Sequence, residues 1–253
     1  MMKKTSTLLT LALVSAHGVA ETADKSLTTD VELGFIATSG NTETTSIKGR
    51  VNVKQELEKF RNTYVAEAFY AEDEVTVDID GEETTETQTT AEKYFISAQS
   101  DFKLDDEFKG IFLFGSYEQD EFSNFEYQAT LAVGYSDRLF TRENSHLSYS
   151  IGPGVAFNEV RETGESNSIG ILRVSGEYFL RLSENAKFTQ KISSEIPYES
   201  GENRKTKSES ALTANITQGL ALKASFVVDH NSEVSEGVEK ADTQTAVTLV
   251  YSF

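Results

Sequence analysis

Cysteine and tryptophan are both missing from the 253 residues, and proline occurs only twice. Without cysteine, an exported chain has neither disulfides nor thiolate metal sites to stabilise it, and no thiol after a leader to carry a lipid. Basic residues are also scarce, with 23 Lys and Arg against 41 Asp and Glu and a formal charge of −18. This argues against nucleic acid as a partner, because phosphate binding needs a basic stripe. Beyond the first 20 residues no run is apolar enough for a transmembrane helix, and no stretch of ten or more carries a helical apolar stripe. Helical plug or enzyme domains are therefore not expected. The mean hydropathy of −0.37 is that of a soluble protein. Strands that alternate lipid-facing with lumen-facing residues nevertheless hide their hydrophobicity from any average.

What is present begins with the two ends. Met1-Met2-Lys3-Lys4 precedes an apolar run from Leu8 to Val14 and the small-residue site Gly18-Val19-Ala20. This is the pattern of a secretory signal peptide, residues 1–20, whose removal leaves residues 21–253 with a charge of −20. At the other end Thr243, Thr245, Val247, Leu249, Tyr251 and Phe253 share one parity, while Asp242, Gln244, Thr248 and Ser252 hold the other. That is a half-buried strand of period two ending on an aromatic, as the closing strand of an outer-membrane barrel does. Val247, Leu249, Tyr251 and Phe253 read as the signal presented to the barrel-assembly machinery, and the bacterial outer membrane is the expected location.

Twelve alternating segments lie between the leader and Phe253. The clearest sets Ile47, Gly49, Val51 and Val53 against Lys48, Arg50, Asn52 and Lys54, and another sets Tyr127, Ala129, Leu131, Val133 and Tyr135 against Gln128, Thr130, Gly134 and Ser136. Connections read as short after even strands and longer and more acidic after odd ones, which suits periplasmic termini, short periplasmic turns and longer outer loops. Pro153, in Gly152-Pro153-Gly154, predicts a bulge or kink, since proline donates no ladder hydrogen bond. The fold class expected is all-β, a transmembrane antiparallel up-and-down β-barrel of about twelve strands. A soluble β-sandwich would share the alternation but not the closing Phe253.

Parity then assigns a lumen. Lys48, Arg50, Lys54, Glu67, Glu126, Arg173, Glu177, Lys191 and Lys223 are the candidate lumen-lining residues, basic and acidic interleaved. A lumen of about twelve strands lies between the filled eight-stranded barrel and the open sixteen-stranded porin. Such charges either pair across a closed interior or line a narrow aqueous pore, and parity does not choose. The acidic stretch from Asp73 to Glu83 offers carboxylates for divalent cations, but its Asp78-Ile79-Asp80-Gly81 fits a two-residue hairpin turn better than a calcium loop, whose first and twelfth positions would be Thr76 and Thr87. His230 and Ser232 share a face and are similar to the His-x-Ser element of the outer-membrane phospholipase A family, the single constellation that suggests hydrolysis. No catalytic, cofactor or metal residues are assigned.

Several stretches carry a family resemblance: Glu32-Leu33-Gly34-Phe35 leading to Thr38-Ser39-Gly40-Asn41-Thr42, then Tyr117 to Ser123, Ala132-Val133-Gly134-Tyr135, Gly152-Pro153-Gly154 and Tyr251-Ser252-Phe253. In order and spacing they resemble the YdiY-like outer-membrane family, domain-of-unknown-function family 481, often labelled salt-induced outer-membrane protein. The resemblance implies the barrel fold and the outer membrane, and no substrate or catalytic residues. The leading expectation is a non-enzymatic barrel forming a narrow pore for small solutes or ions, with a link to salt or osmotic stress. The alternatives are a closed structural barrel whose acidic loops bind cations or lipopolysaccharide, and a lipid hydrolase using His230 and Ser232.

Overall fold

The computed structural model describes residues 27–38, 44–79, 82–104, 108–234 and 240–253, so the expected signal peptide lies outside the described residues. Twelve strands follow one another in these regions. They are β1 (Leu27–Thr38), β2 (Thr44–Glu56), β3 (Phe60–Ile79), β4 (Glu82–Lys103), β5 (Gly110–Asp120) and β6 (Phe125–Thr141). Then come β7 (Ser145–Val160), β8 (Glu165–Arg181), β9 (Ala186–Pro197), β10 (Lys205–Asn215), β11 (Leu220–Asn231) and β12 (Ala241–Ser252). Each pairs antiparallel with its neighbours in sequence, and β1 pairs with β12, closing an up-and-down barrel. No helix occurs among the described residues.

The alternation turns the usual interior inside out. Leu33, Phe35, Ile96, Leu113, Leu131 and Val247 are each more than half exposed, and they point away from the barrel axis. Buried polar and charged side chains outnumber buried apolar ones. A water-soluble monomer does not carry an apolar belt around its whole girth, whereas a barrel in lipid must. Aromatic pairs sit near both strand ends on this outer face: Phe60 with Phe102 and Tyr251 with Phe253 toward the end that holds the chain termini, and Tyr117 stacked on Tyr127 toward the other. Such rings suit the two interfaces of a bilayer.

The loop pattern differs from the expected one. Connections after even strands run from three to six residues and those after odd strands from two to nine, so length alone does not separate the two ends. The extra reach lies in the strands. β3 and β4 have 20 and 22 residues, about twice the ~9–11 that cross a bilayer, and they stay paired to Ile79–Glu82. The ladder places Asp80 and Gly81 between the two strands, where the sequence predicts the hairpin turn; these two lie outside the described residues. Past Asp73 on one side and Lys93 on the other, this hairpin has no neighbouring strand.

Pro153 produces no bulge. β7 keeps one register against β8 along its whole length, and the shifts against β6 lie elsewhere, at Phe125/Tyr127 and Arg138/Phe140. What proline removes is pairing: no rung joins β6 and β7 between Ala132–Gly154 and Tyr135–Ile151, yet the register is the same on both sides of the gap. Glycine allows the strands to stay together there. A Cβ on Gly152 would come within 2.1 Å of the Val133 carbonyl oxygen, and one on Gly134 within 2.2 Å of the Ile151 oxygen. The backbones touch where side chains would otherwise stand.

The seam is the shortest ladder. β1 and β12 pair from Asp30–Ser252 to Leu33–Leu249, extended by reciprocal backbone bonds between Thr29 and Phe253. Beyond Leu33 the two strands no longer pair.

Two predictions follow from this geometry. Gly152→Ala drives a methyl group into backbone, so the folded barrel loses about 1–3 kcal/mol or more; the urea midpoint in detergent should fall, and an unchanged midpoint would show that the strands separate easily. Because Thr29–Phe253 is a hydrogen-bonded pair, Asp30–Ser252 is a non-hydrogen-bonded one with its side chains close. Oxidising an Asp30→Cys/Ser252→Cys double variant should form one disulfide and raise stability by about 2–4 kcal/mol; no disulfide on non-reducing gels would contradict the register.

Candidate functional site

The inward parity of each strand collects the charges of the chain in the lumen, where opposite charges meet. The first network centres on Glu209 of β10. One of its oxygens accepts from Arg50 Nη1 of β2 at 2.9 Å, and the other from Lys223 Nζ of β11 at 2.8 Å. Lys223 also donates to both oxygens of Glu32 on β1, at 3.1 and 3.0 Å. Glu67 of β3 lies 3.7 Å from Arg50 and 4.0 Å from Lys48, and Lys48 donates to Gln244 Oε1 of β12 at 2.7 Å. Three cations and three anions from five strands, with Gln244 from a sixth, are thereby tied together.

The second network lies toward the opposite end from the termini. Lys93 of β4 stands 3.5–3.6 Å from Glu118 and Asp120 of β5 and Asp229 of β11. Lys205 of β10 donates to Glu118 at 2.6 Å and to Gln128 Oε1 of β6 at 2.9 Å, and Lys207 lies 3.5 Å from Asp229. Again three cations match three anions. Lys205–Glu118 and Lys93–Asp229 join strands five steps apart around the barrel, so they cross its interior.

Beside these networks runs a cavity of about 690 Å³. Its lining reaches from Glu56, Arg138 and His146 at one end of the barrel to Asn158, Asn203 and Lys205 at the other. Ten strands contribute, β1 to β10, but neither β11 nor β12. The void thus follows one side of the lumen while the first network fills the other.

The nine candidate residues divide among these places. Arg50, Lys54, Arg173, Glu177 and Lys191 line the cavity, with Lys191 3.6 Å from Glu177. Lys48, Glu67 and Lys223 are in the first network and do not line the cavity. Glu126 does neither. It lies at the rim, 2.8 Å from Arg161 in the β7–β8 connection, because β6 shifts register between Phe125 and Tyr127. Lys205 and Lys207, missed in the sequence, sit where Lys205-Thr206-Lys207-Ser208-Glu209-Ser210 is polar on both faces and gives no parity signal. Phe114 was hidden for the opposite reason, since Ile111 to Phe114 is apolar on both faces.

His230 and Ser232 form no hydrogen bond with each other. The Ser232 hydroxyl accepts from the Arg204 amide at 2.8 Å, and the Ser232 amide donates to the Arg204 carbonyl at 3.1 Å, which fixes the end of β11 against the β9–β10 connection. Among the described residues no group of three or more His, Asp or Glu is placed to hold a metal ion.

The networks differ sharply in cost from the rim pair. Glu209→Gln leaves Arg50 and Lys223 each without its shortest carboxylate contact, a buried-pair loss of about 3 kcal/mol. Glu126→Gln breaks a solvent-exposed pair and should cost less than about 1 kcal/mol. Urea unfolding of the two variants checks the ranking; equal losses would mean that water in the lumen screens both pairs alike.

Comparison with known proteins places the chain in a family. Residues 31–253 match the family described as "Protein of unknown function, DUF481". The "Uncharacterized protein YdiY" of Escherichia coli (strain K12) is 30% identical over 167 residues, 65% of this chain and 64% of that protein's length, so the match spans just under two thirds of it. Among solved structures, a NanC porin aligns with a TM-score of 0.48 at 10% identity, covering 88% of this chain and 97% of that one. An outer membrane channel from Pseudomonas putida F1 aligns at 0.44 and 9% identity, covering 90% and 94%. With the family match covering nearly all of the described barrel, the chain belongs to the DUF481 family.

Proposed function

We propose that this barrel sits in the bacterial outer membrane and forms a narrow, water-filled pore for small solutes or ions, without enzymatic activity. One observation carries the reading: a cavity of about 690 Å³ whose lining residues come from both ends of the barrel and are mostly of polar or charged type. A barrel that served only as a wall could fill that space with apolar side chains. The two ion-pair networks narrow the passage, and the small solute class follows from the width they leave. Export by a cleaved signal peptide and handling by the barrel-assembly machinery through Val247, Leu249, Tyr251 and Phe253 belong to the same reading.

A role under salt or osmotic stress draws on the acidity of the β3–β4 hairpin, where residues 72–92 hold nine Asp and Glu and no Lys or Arg. Carboxylates at that density draw counter-ions, and divalent cations there would bridge to lipopolysaccharide. The closed-barrel reading keeps one observation in its favour, that Lys205–Glu118 and Lys93–Asp229 cross the lumen. For the hydrolase reading, the hydroxyl of Ser232 would first have to leave the Arg204 amide.

Single-channel recording in planar bilayers separates these readings. The refolded protein should give small, reproducible conductance steps, larger in a Lys205→Ala/Glu118→Gln variant in which both sides of a crossing pair are shortened or neutralised. Lys54→Glu, at a position that lines the cavity outside both networks, should change ion selectivity more than Glu126→Lys, which acts only at the rim. Folded protein that inserts and never conducts, in either form, would sink the pore reading and leave the closed barrel.

A further inference from the structure

Arg173 stands apart from every other buried cation in the lumen. It faces inward from β8 with 7% of its surface exposed, and among the described residues no carboxylate lies within 4 Å of it. Its Cζ sits 3.6 Å from the centre of the Phe114 ring on β5, three strands away. The reach is open because the inward positions between them on β7 and β6 are Gly152, Gly154, Gly134 and Ala132, which leave a bare floor. Of the five guanidinium N–H groups only one finds an acceptor among the described residues, Nη1 to Ser175 Oγ at a long 3.4 Å. Nε is buried with no partner at all. Glu195 lies opposite on the β9 rung and would be the natural counter-ion, yet its carboxylate accepts the Thr130 hydroxyl at 2.9 Å instead.

We propose that Arg173 is the centre of a binding site for small oxyanions, the carboxylate or phosphate groups of solutes entering the lumen. The inference deepens the pore reading and rests on it for access to the site. A planar guanidinium with unused donors matches a carboxylate or phosphate bidentately, and the ring of Phe114 holds the fork flat from one side. The hydroxyls of Ser150 and Ser175 also line the cavity and bond each other at 2.7 Å, and whichever does not donate in that bond supplies one further donor beside it. The surrounding charge agrees. Among the described residues lining the cavity there are eight Lys and Arg and seven Asp and Glu, in a chain where acids outnumber bases 41 to 23. Cations are drawn to this wall while the carboxylates of the chain lie mostly elsewhere. A purely structural Arg173 would gain from its charge only the Phe114 ring and the more distant Glu195, against the cost of burying it, and a methionine spans the same floor and packs on the same ring.

The test is calorimetric titration of the refolded, detergent-solubilised barrel with inorganic phosphate and, in a separate arm, with citrate. Either anion should bind the native protein. Arg173→Gln should weaken binding at least about tenfold, the loss of one charge-assisted hydrogen-bonding group, and Glu195→Gln should strengthen it by removing the nearby negative charge. Arg173→Met should unfold at equal or higher urea concentration than the native protein while binding neither anion, which a merely structural role does not allow. Glu195→Gln keeps the arginine and so reports on the site even if the Arg173 variants fold poorly. Phosphate binding without citrate binding, or the reverse, assigns the solute group. Absence of binding to the native barrel, or equal affinity in Arg173→Gln, overturns the proposal. The same preparations in bilayers distinguish the two failures: conduction without anion binding refutes the site and keeps the pore, and binding without conduction refutes the pore alone.

Discussion

Each strand of a closed sheet has a partner on both sides, and its side chains have only two directions to point. Because the outward direction of this barrel is apolar around its girth, nearly every strand charge is forced inward, where desolvation makes an unpaired charge expensive. Six cations and six anions answer that demand in two balanced networks. The first of them does more than neutralise. Lys223 on β11 reaches Glu32 on β1 past β12, and Lys48 on β2 reaches Gln244 on β12 past β1. Side-chain bonds thus stitch across the β1–β12 seam at the place where the backbone ladder is shortest, so closure and lumen chemistry depend on the same residues.

The asymmetry of the lumen has a comparably local origin. On the β10–β3 side, long charged side chains meet and fill the interior. On the β5–β8 side, Gly134, Gly152 and Gly154 leave the floor empty, with Phe112, Phe114, Ala132 and Ile171 packed along the wall. Glycine is required at Gly134 and Gly152 by backbone contact between β6 and β7, and the same bare surface lets Arg173 lie across three strands. One packing constraint therefore sets both the shape of the cavity and the posture of the cation in it.

Much of the architecture was legible in the sequence because period two survives where one face is apolar and the other is not. The twelve strands and their outward sets follow from that alternation, as with Ile47 to Val53 in β2 and Thr243 to Tyr251 in β12. Parity fails where both faces match in polarity, which is why Lys205 and Lys207 escaped and why Phe112 and Phe114 could not be told from lipid-facing neighbours. It also fails at a register shift, which moved Glu126 to the rim. Pro153 misled because proline predicts a broken ladder but not how strands respond, and Gly134 and Gly152, adjacent only after folding, hold the register without the missing rungs. Which charges would meet was never legible, since Arg50 and Glu209 are 159 residues apart and converge only across a closed sheet.

Balanced networks constrain what a pore of this kind can select. A belt of three cations against three anions carries little net field, so it restricts size more than it discriminates charge. Discrimination then falls to charges that stand outside both networks and face the cavity. Lys54 and Arg173 are such cations, neither with a carboxylate within 4 Å, whereas the facing carboxylates of Glu195 and Asp101 are occupied by the hydroxyls of Thr130 and Ser136. A hydroxyl donor leaves a carboxylate its charge and takes one of its acceptor sites, while Arg173 keeps most of its donors free. At Arg173 the wall consequently offers an incoming anion both a charge and unused hydrogen-bond donors.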